Sequence, residues 1–375
     1  MDELFDWLLD GVPGATAPID VLERLARDFL AAGLPITRLG VFVTTLHPNV
    51  AGRAFIWEEG KGARVAQQTR GVRATADYTA SPIKVCADTA ELVRWRKGEP
   101  DRGWQAIRDF EARGCVDYLC LLLKFSNGEV HVMSVTSSVG FTDTHVAALR
   151  RISRPLARIA EIFALRRLIG NVLDAYVGPH SGARVIAGHI QKGDVETIHA
   201  AIWFSDLRGF TEMSGRRSAH EVITVLNEVF DCQVPAIEAQ GGEVLKFIGD
   251  GLLAIFPFHS FDEAPAHCAK ALAAARAALT ALGDLNARAA TEHRLGIALH
   301  VGDVAYGNIG GSGRLDFTAI GAAVNTAARL EGIASKAGRA LVLSQEFAAA
   351  VGGDFDDLGS FELKGIAEPR RVFGA

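Results

Sequence analysis

Two aspartates, each closing an apolar run, constrain this chain more than any other feature. Asp206 ends Ala201-Ile202-Trp203-Phe204-Ser205, and Asp250 ends Val244-Leu245-Lys246-Phe247-Ile248-Gly249. Both runs read as buried strands, and a carboxylate at a buried strand end is costly unless something pairs with it. Between them, Val222, Ile223, Leu226, Val229 and Phe230 share one face at helical spacing. A strand, a helix and a returning hairpin bring the two carboxylates together. Two bare carboxylates about 4 Å apart repel by roughly 4 kcal/mol at an effective dielectric near 20. A divalent cation between them reverses that sign, and an all-oxygen site suits Mg²⁺ or Mn²⁺, which usually also hold substrate phosphates.

Composition narrows the class. The chain has 375 residues, enough for two or three domains with real cores. Apolar residues are 49% and charged residues 22%, as in an ordinary globular protein. A net charge of −5 gives no footing for nucleic acid. No apolar run reaches the roughly 18 residues of a membrane span. The acidic start, Met1-Asp2-Glu3-Leu4-Phe5-Asp6, argues against a secretory signal. The cysteines Cys86, Cys115, Cys120, Cys232 and Cys268 are scattered and form no Cys-x-x-Cys, so reduced thiols in a cytoplasm are expected.

In chain order, helices are expected over residues 2–34, broken at Gly11-Val12-Pro13-Gly14, with Val21, Leu22, Leu25, Phe29 and Leu30 as one stripe. Strands follow at 38–45 and 53–57, with a turn at Leu46-His47-Pro48-Asn49. His47 could ligate haem or metal; a turn histidine before Pro48 is the plainer reading. Ser81-Pro82-Ile83 reads as an edge strand. The runs 117–125 and 130–137, joined through Asn127-Gly128, read as a hairpin. Cys115 and Cys120 read as small core residues rather than a redox pair. Thr142-Asp143-Thr144 opens a helix. Leu149, Ile152, Leu156, Ile159 and Phe163 alternate three and four apart, as in a parallel dimer seam or a helix packed on its own domain. The seam is the favoured reading, with a kink or fresh helix start at Pro155.

The residues 204–211 (Phe204-Ser205-Asp206-Leu207-Arg208-Gly209-Phe210-Thr211), 246–251 (Lys246-Phe247-Ile248-Gly249-Asp250-Gly251) and 318–331, with Thr318, Gly321, Asn325, Arg329 and Glu331, resemble the catalytic domain of class III nucleotide cyclases. Three blocks in order carry that resemblance, which covers about half the chain. It implies an α+β ferredoxin-like catalytic domain over residues 197–375. The order of elements before Gly140-Phe141-Thr142 resembles a GAF-like α/β sensory domain, residues 1–145, joined by a helical linker and connector, 146–196. GAF domains often bind a small molecule, so an unidentified effector is an open expectation there.

The resemblance assigns roles. Asp206, Asp250 and the Leu207 carbonyl would hold two Mg²⁺ or Mn²⁺ ions. Asn325 and Arg329, four apart on one helix face, would orient the ribose and stabilise the transition state. Lys364 would bind the triphosphate, and Phe210 and Thr211 would lie on the substrate side of the same motif. Lys246 and Thr318 would choose the base: a lysine can donate to adenine N1, and a threonine hydroxyl can accept from the adenine amino group. Lys with Thr is similar to the subgroup that includes bicarbonate-responsive adenylate cyclases. The implied activity is ATP to cyclic AMP in a cytoplasmic homodimer, the chain carrying both halves of the site. A guanylate cyclase, or a degenerate dimerising module, are the alternatives. Two departures stand out. Asp303 occupies a position where some members have an arginine for the γ-phosphate, and Ala322 replaces a common aspartate.

Overall fold

The computed structural model describes residues 1–44, 50–69, 80–289, 291–311, 313–366 and 368–375. The turn carrying His47 lies outside the described residues. The chain divides into two compact units, Met1–Val172 and Leu173–Ala375.

In the first unit the helices α1 (Asp2–Leu9) and α2 (Pro18–Ala31) precede β1 (Arg38–Thr44), β2 (Val50–Glu58) and β3 (Gly62–Thr69). Then come α3 (Pro82–Thr89), β4 (Val93–Arg96), α4 (Gln105–Ala112), β5 (Asp117–Lys124), β6 (Val130–Ser137) and the start of α5 (Asp143–Val177). The strands form an antiparallel sheet in the order β3-β2-β1-β6-β5-β4. Alternation splits its two faces. Leu39, Val41, Leu119, Leu121 and Met133 pack with α1, α2 and α5, whereas Trp95, Tyr118, Cys120 and Val132 pack with α3 and α4.

Two expectations fail here for identifiable reasons. Ser81-Pro82-Ile83 opens a helix, not a strand: Ser81 Oγ accepts from the Lys84 amide at 3.2 Å, and Pro82 sits in the first turn, where a missing N–H costs nothing. The stripe Leu149, Ile152, Leu156 and Ile159 is buried in the unit's own core, with Phe163 packed against it, so it is not a dimer seam. The helix continues through Pro155 because that stretch is held by burial. A second three-four pattern, Ile162, Leu165, Ile169 and Val172, is the exposed one. All five cysteines are free and buried. Cys120 accepts at its carbonyl from the Cys86 thiol, 3.4 Å, rather than neighbouring Cys115.

The second unit begins with the end of α5 and α6 (Pro179–Ile186). It continues with β7 (Val195–Leu207), α7 (Phe210–Arg216), α8 (Ala219–Ala239), β8 (Glu243–Ile248), β9 (Gly251–Phe258) and α9 (Ala264–Asn286). Next come β10 (Leu295–Gly311), β11 (Arg314–Ile320), α10 (Ala322–Lys336), β12 (Leu341–Ser344), α11 (Gln345–Val351), β13 (Asp356–Phe361) and β14 (Arg370–Gly374). The sheet order is β13-β14-β12-β10-β7-β9-β8, with β11 paired to β10. Its centre, β10-β7-β9-β8, is wholly antiparallel, with α8 between β7 and β8 and α9 between β9 and β10. That is a split β-α-β arrangement of ferredoxin-like type.

Trp203 and Leu207 face a core shared with α8 and α9, while Ile202 and Phe204 face the side covered by α10. Period-two alternation therefore places Asp206 on the α10 side. The stripe on α8 is rotated from the expected one: Val225, Val229, Cys232, Gln233 and Ile237 are buried and Ile223 is exposed. Ser218 caps this helix in a capping box with Glu221.

Candidate active site

Asp206 stands one residue before the end of β7, opposite Gly296 of β10. Asp250 occupies the two-residue turn between β8 and β9, where Gly249 takes φ +62°. Gly251 makes their approach possible. A Cβ there would lie 2.1 Å from the Ser205 carbonyl oxygen and 3.4 Å from Asp206 Oδ1. Any side chain at Gly251 would push the Asp250 turn off the end of β7. Strand β7 is pinned from its other face: the buried Ser205 hydroxyl donates to Gln233 Oε1 at 2.6 Å, and Gln233 Nε2 donates to the Val229 carbonyl.

The electrostatics of the pair are unfavourable as they stand. Burial, then the Asp250 carboxylate, then Glu331, push Asp206 up to about 6. Arg208, two residues on, is bound elsewhere: its Nη1 lies 2.6 Å from Glu331 Oε1 in a largely buried ion pair. That pair dictates Gly296, because a Cβ there would lie 1.9 Å from Arg208 Nη2 and 2.6 Å from Glu331 Oε1. The Arg208 charge still lowers Asp206, but burial and the neighbouring carboxylates outweigh it.

Among the described residues no cluster of three or more His, Cys, Asp or Glu side chains is built to hold a metal. Two carboxylates nevertheless fit Mg²⁺, which keeps several waters and is usually bound through one or two carboxylates plus substrate phosphates. Burial first and the Asp250 carboxylate second raise the proton affinity of Asp206, which suits a carboxylate placed to meet a cation.

A second group gathers on β8 and β11. Lys246 makes an ion pair with Asp316. Thr318, two residues further along β11 and so on the same face, is buried, and its hydroxyl has no hydrogen-bond partner among the described residues. A buried, unpartnered hydroxyl of this kind calls for an explanation. Asn325 and Arg329 lie one turn apart on α10, both exposed. Phe210 opens α7 and packs on the core, with Thr211 exposed beside it. Lys364 is exposed in the turn between β13 and β14. The structure therefore brings Asp206 to Asp250 and Lys246 to Asp316, two residues before Thr318, sets Asn325 and Arg329 one turn apart on α10, and places Lys364 in the turn between β13 and β14.

Residues 194–373 match the family model for the adenylate and guanylate cyclase catalytic domain. The C-terminal half of this chain is similar to such a domain. The adenylate cyclase of Anabaena cylindrica is 33% identical over 165 residues, covering 42% of this chain and 32% of that protein. The terminal-differentiation-specific adenylate cyclase of Dictyostelium discoideum is 28% identical over 195 residues, 49% of this chain and 9% of that one. This chain thus spans about a third or less of these curated relatives. A solved bacterial light-regulated adenylyl cyclase superposes with a TM-score of 0.50 at 20% identity, covering 69% of this chain and 85% of its own, which is a likeness of fold. The family model names both nucleotides, so it leaves the base open. Among the described residues no helix is long and apolar enough to cross a membrane.

Three features of the second unit escaped sequence reasoning. One is the Arg208–Glu331 pair, signalled only by Gly296. The second is Asp316, whose role rests on the β10–β11 register. The third joins α6 to the catalytic sheet. Buried Glu243 accepts from the Ser181 amide at 3.0 Å, the Ser181 hydroxyl at 2.6 Å and the Tyr306 hydroxyl at 2.8 Å. Gly178, at φ +85°, brings the chain there, and Tyr306 meets Phe317, the neighbour of Thr318, edge-on at 4.8 Å. Within the expected linker and connector, α6 is thus bolted to β8 three residues before Lys246. Asp303, the acidic departure, is engaged with His199 Nδ1 at 2.6 Å.

Proposed function

We propose that this chain is an adenylate cyclase, converting ATP to 3′,5′-cyclic AMP and pyrophosphate at sites shared by two copies. The observation that carries it is the Asp206–Asp250 pair: two carboxylates brought together at one strand end, with the adjacent Arg208 guanidinium paired to Glu331. Two divalent ions held by Asp206, Asp250 and the Leu207 carbonyl would neutralise the triphosphate and favour the ionised 3′-hydroxyl. The remaining work is positioning. The ribose 3′-oxygen bonds to the α-phosphorus as the bond to pyrophosphate breaks in line. Asn325 orients the ribose, and Arg329 offers its guanidinium fork to the α-phosphate. Lys364 takes the phosphate tail, with Phe210 and Thr211 lining the substrate side of α7.

The base reading follows from hydrogen-bond polarity. Lys246 donates to adenine N1, and the free Thr318 hydroxyl accepts from the amino group. Guanine N1 carries a hydrogen and would meet the lysine as donor against donor. Asp316 holds the Lys246 ammonium beside Thr318 in the meantime.

A shared site is supported by α10. Glu331 is buried toward Arg208, close to the carboxylate pair. Arg329 lies two residues earlier, about 200° around the helix, so its exposed face is turned from its own Asp206. A second copy can present its carboxylate pair to that face in a closed two-fold arrangement. The first unit, a six-stranded sheet between two helical layers, supports a GAF-like regulatory role. Asp206, Asp250, Asn325 and Arg329 are all present, which favours a working enzyme over a dimerising module.

The deciding measurement is product formation by the full chain with Mn²⁺ and either ATP or GTP. Cyclic AMP should dominate by at least tenfold at equal nucleotide concentration. Cyclic GMP as the main product would overturn the base assignment, and no cyclic nucleotide from either would overturn the enzyme.

A further inference from the structure

The first unit contains a cavity of about 480 Å³ between α2, the sheet and α5. Its walls are apolar, with Leu22 and Leu25 from α2, Val41 and Phe55 from the sheet, and Ile159 and Phe163 from α5. Three arginines also line it, Arg53 from β2 and Arg166 and Arg167 from α5. Among the described residues none of the three belongs to an ion pair. The carboxylates on the surrounding helices are engaged elsewhere. Asp20 caps Thr16 and Ala17, Glu23 accepts from the Ala63 amide, Asp28 pairs with Arg24, and Glu161 pairs with Arg158 and binds Ser126. Burial and the charge of Arg167 both disfavour the Arg53 cation.

An apolar cavity of several hundred Å³ with a few convergent polar groups is the usual form of a small-molecule site. Here the polar groups are all cations of one type, and the guanidinium fork matches a carboxylate. We propose that this cavity binds a small amphiphilic carboxylate, its chain between α2 and α5 and its head group against Arg53 and Arg167. The bound anion relieves the repulsion between those arginines, and the chain fills apolar surface that is otherwise wet.

The test uses the full chain and isothermal titration with decanoate below its micellar concentration. One site per chain is expected. Decyltrimethylammonium, with the same tail and the opposite charge, should bind at least tenfold more weakly. The double variant Arg53→Gln/Arg167→Gln should weaken decanoate at least tenfold, and Ala160→Phe, which puts a ring into the cavity, should do the same. Circular dichroism checks that each variant is folded; should the ring prevent folding, the arginine variant decides alone. No decanoate binding to the wild-type chain overturns the proposal, as does equal binding by the ammonium amphiphile or by the arginine variant. If Ala160→Phe instead shifts the sedimentation of the chain while decanoate does not bind, the cavity is the seat of a second copy and the proposal falls.

Discussion

Asp117 in the first unit and Asp206 in the second are both carboxylates at strand ends, taken largely out of water, and their surroundings are opposite. Asp117 accepts from Arg94 at two nitrogens, 3.1 and 2.6 Å, and from the Phe141 amide at 2.9 Å. Its charge is answered within the fold. Asp206 faces Asp250 and Glu331, and the arginine that could answer it is bound to Glu331. The fold spends a guanidinium where an ion pair holds strand β4 to the chain before α5. Beside Asp206 the Arg208 guanidinium is paired with Glu331 instead, and the proposed cation would supply the rest of the answering charge. A closed buried pair marks architecture, and an open one marks chemistry.

The widest separation should come from removing each acid. Asp206→Ala or Asp250→Ala should lower cyclic nucleotide formation by at least a thousandfold, while the melting temperature without metal stays level or rises. Asp117→Ala should cost about 3–5 kcal/mol of stability, because it strands a largely buried guanidinium. Its folded fraction should still turn over. Urea melts beside rate measurements on the three variants check this. Near wild-type turnover from either site variant, with Mg²⁺ or Mn²⁺, removes the metal assignment.

A smaller effect tests whether the open pair is completed by another copy. Asp206→Ala spoils one half of a shared site, and Arg329→Ala the other. Each alone should be nearly inactive. Mixed at equal amounts with free exchange, about half of the dimers are heterodimers, each with one intact site, so roughly a quarter of wild-type activity should return. Two affinity tags establish that mixed dimers have formed. If they form and remain inactive, both halves lie within one copy.

What the sequence could show follows from how local each signal is. The strand-end aspartates, the Asn127-Gly128 hairpin and the Ser218 cap depend on neighbours a few residues away. The Arg208–Glu331 pair spans over a hundred residues, and Gly296 is its only trace. Glu243 reads as an ordinary strand-start residue until Ser181 and Tyr306 close around it. The stripe from Leu149 to Phe163 failed in another way. Heptad spacing states that one helix face is apolar and leaves open what covers it, and here the unit's own sheet does so. The Ser81-Pro82 opening was legible in principle, since a serine before a proline is a helix-start signal.

The smallest effect is a pair of opposed pH slopes. His300 is buried, with Nδ1 2.8 Å from the Ser344 hydroxyl, and burial pulls it from 6.5 to about 4. Above pH 6.5 the folded and unfolded chains both carry it neutral. As pH falls from 6.5 toward 4 the unfolded chain takes up the proton and the folded one does not, so stability is lost, on the order of 3 kcal/mol in full. Asp206, raised from 3.8 to about 6, acts in the opposite sense. Between those values the folded chain binds the proton and the unfolded one does not, so stability is gained as pH falls from 6 toward 4. In chelator-treated protein the two offset each other across that window. Asp206→Asn should steepen the acid loss, and His300→Gln should flatten or reverse it, in urea midpoints taken at half-unit steps from pH 4 to 7. Mn²⁺ should abolish the Asp206 contribution and leave that of His300 unchanged, because only the aspartate is a proposed ligand. An identical slope in wild type and Asp206→Asn means the carboxylate is already balanced in the folded chain, and the contrast with Asp117 disappears.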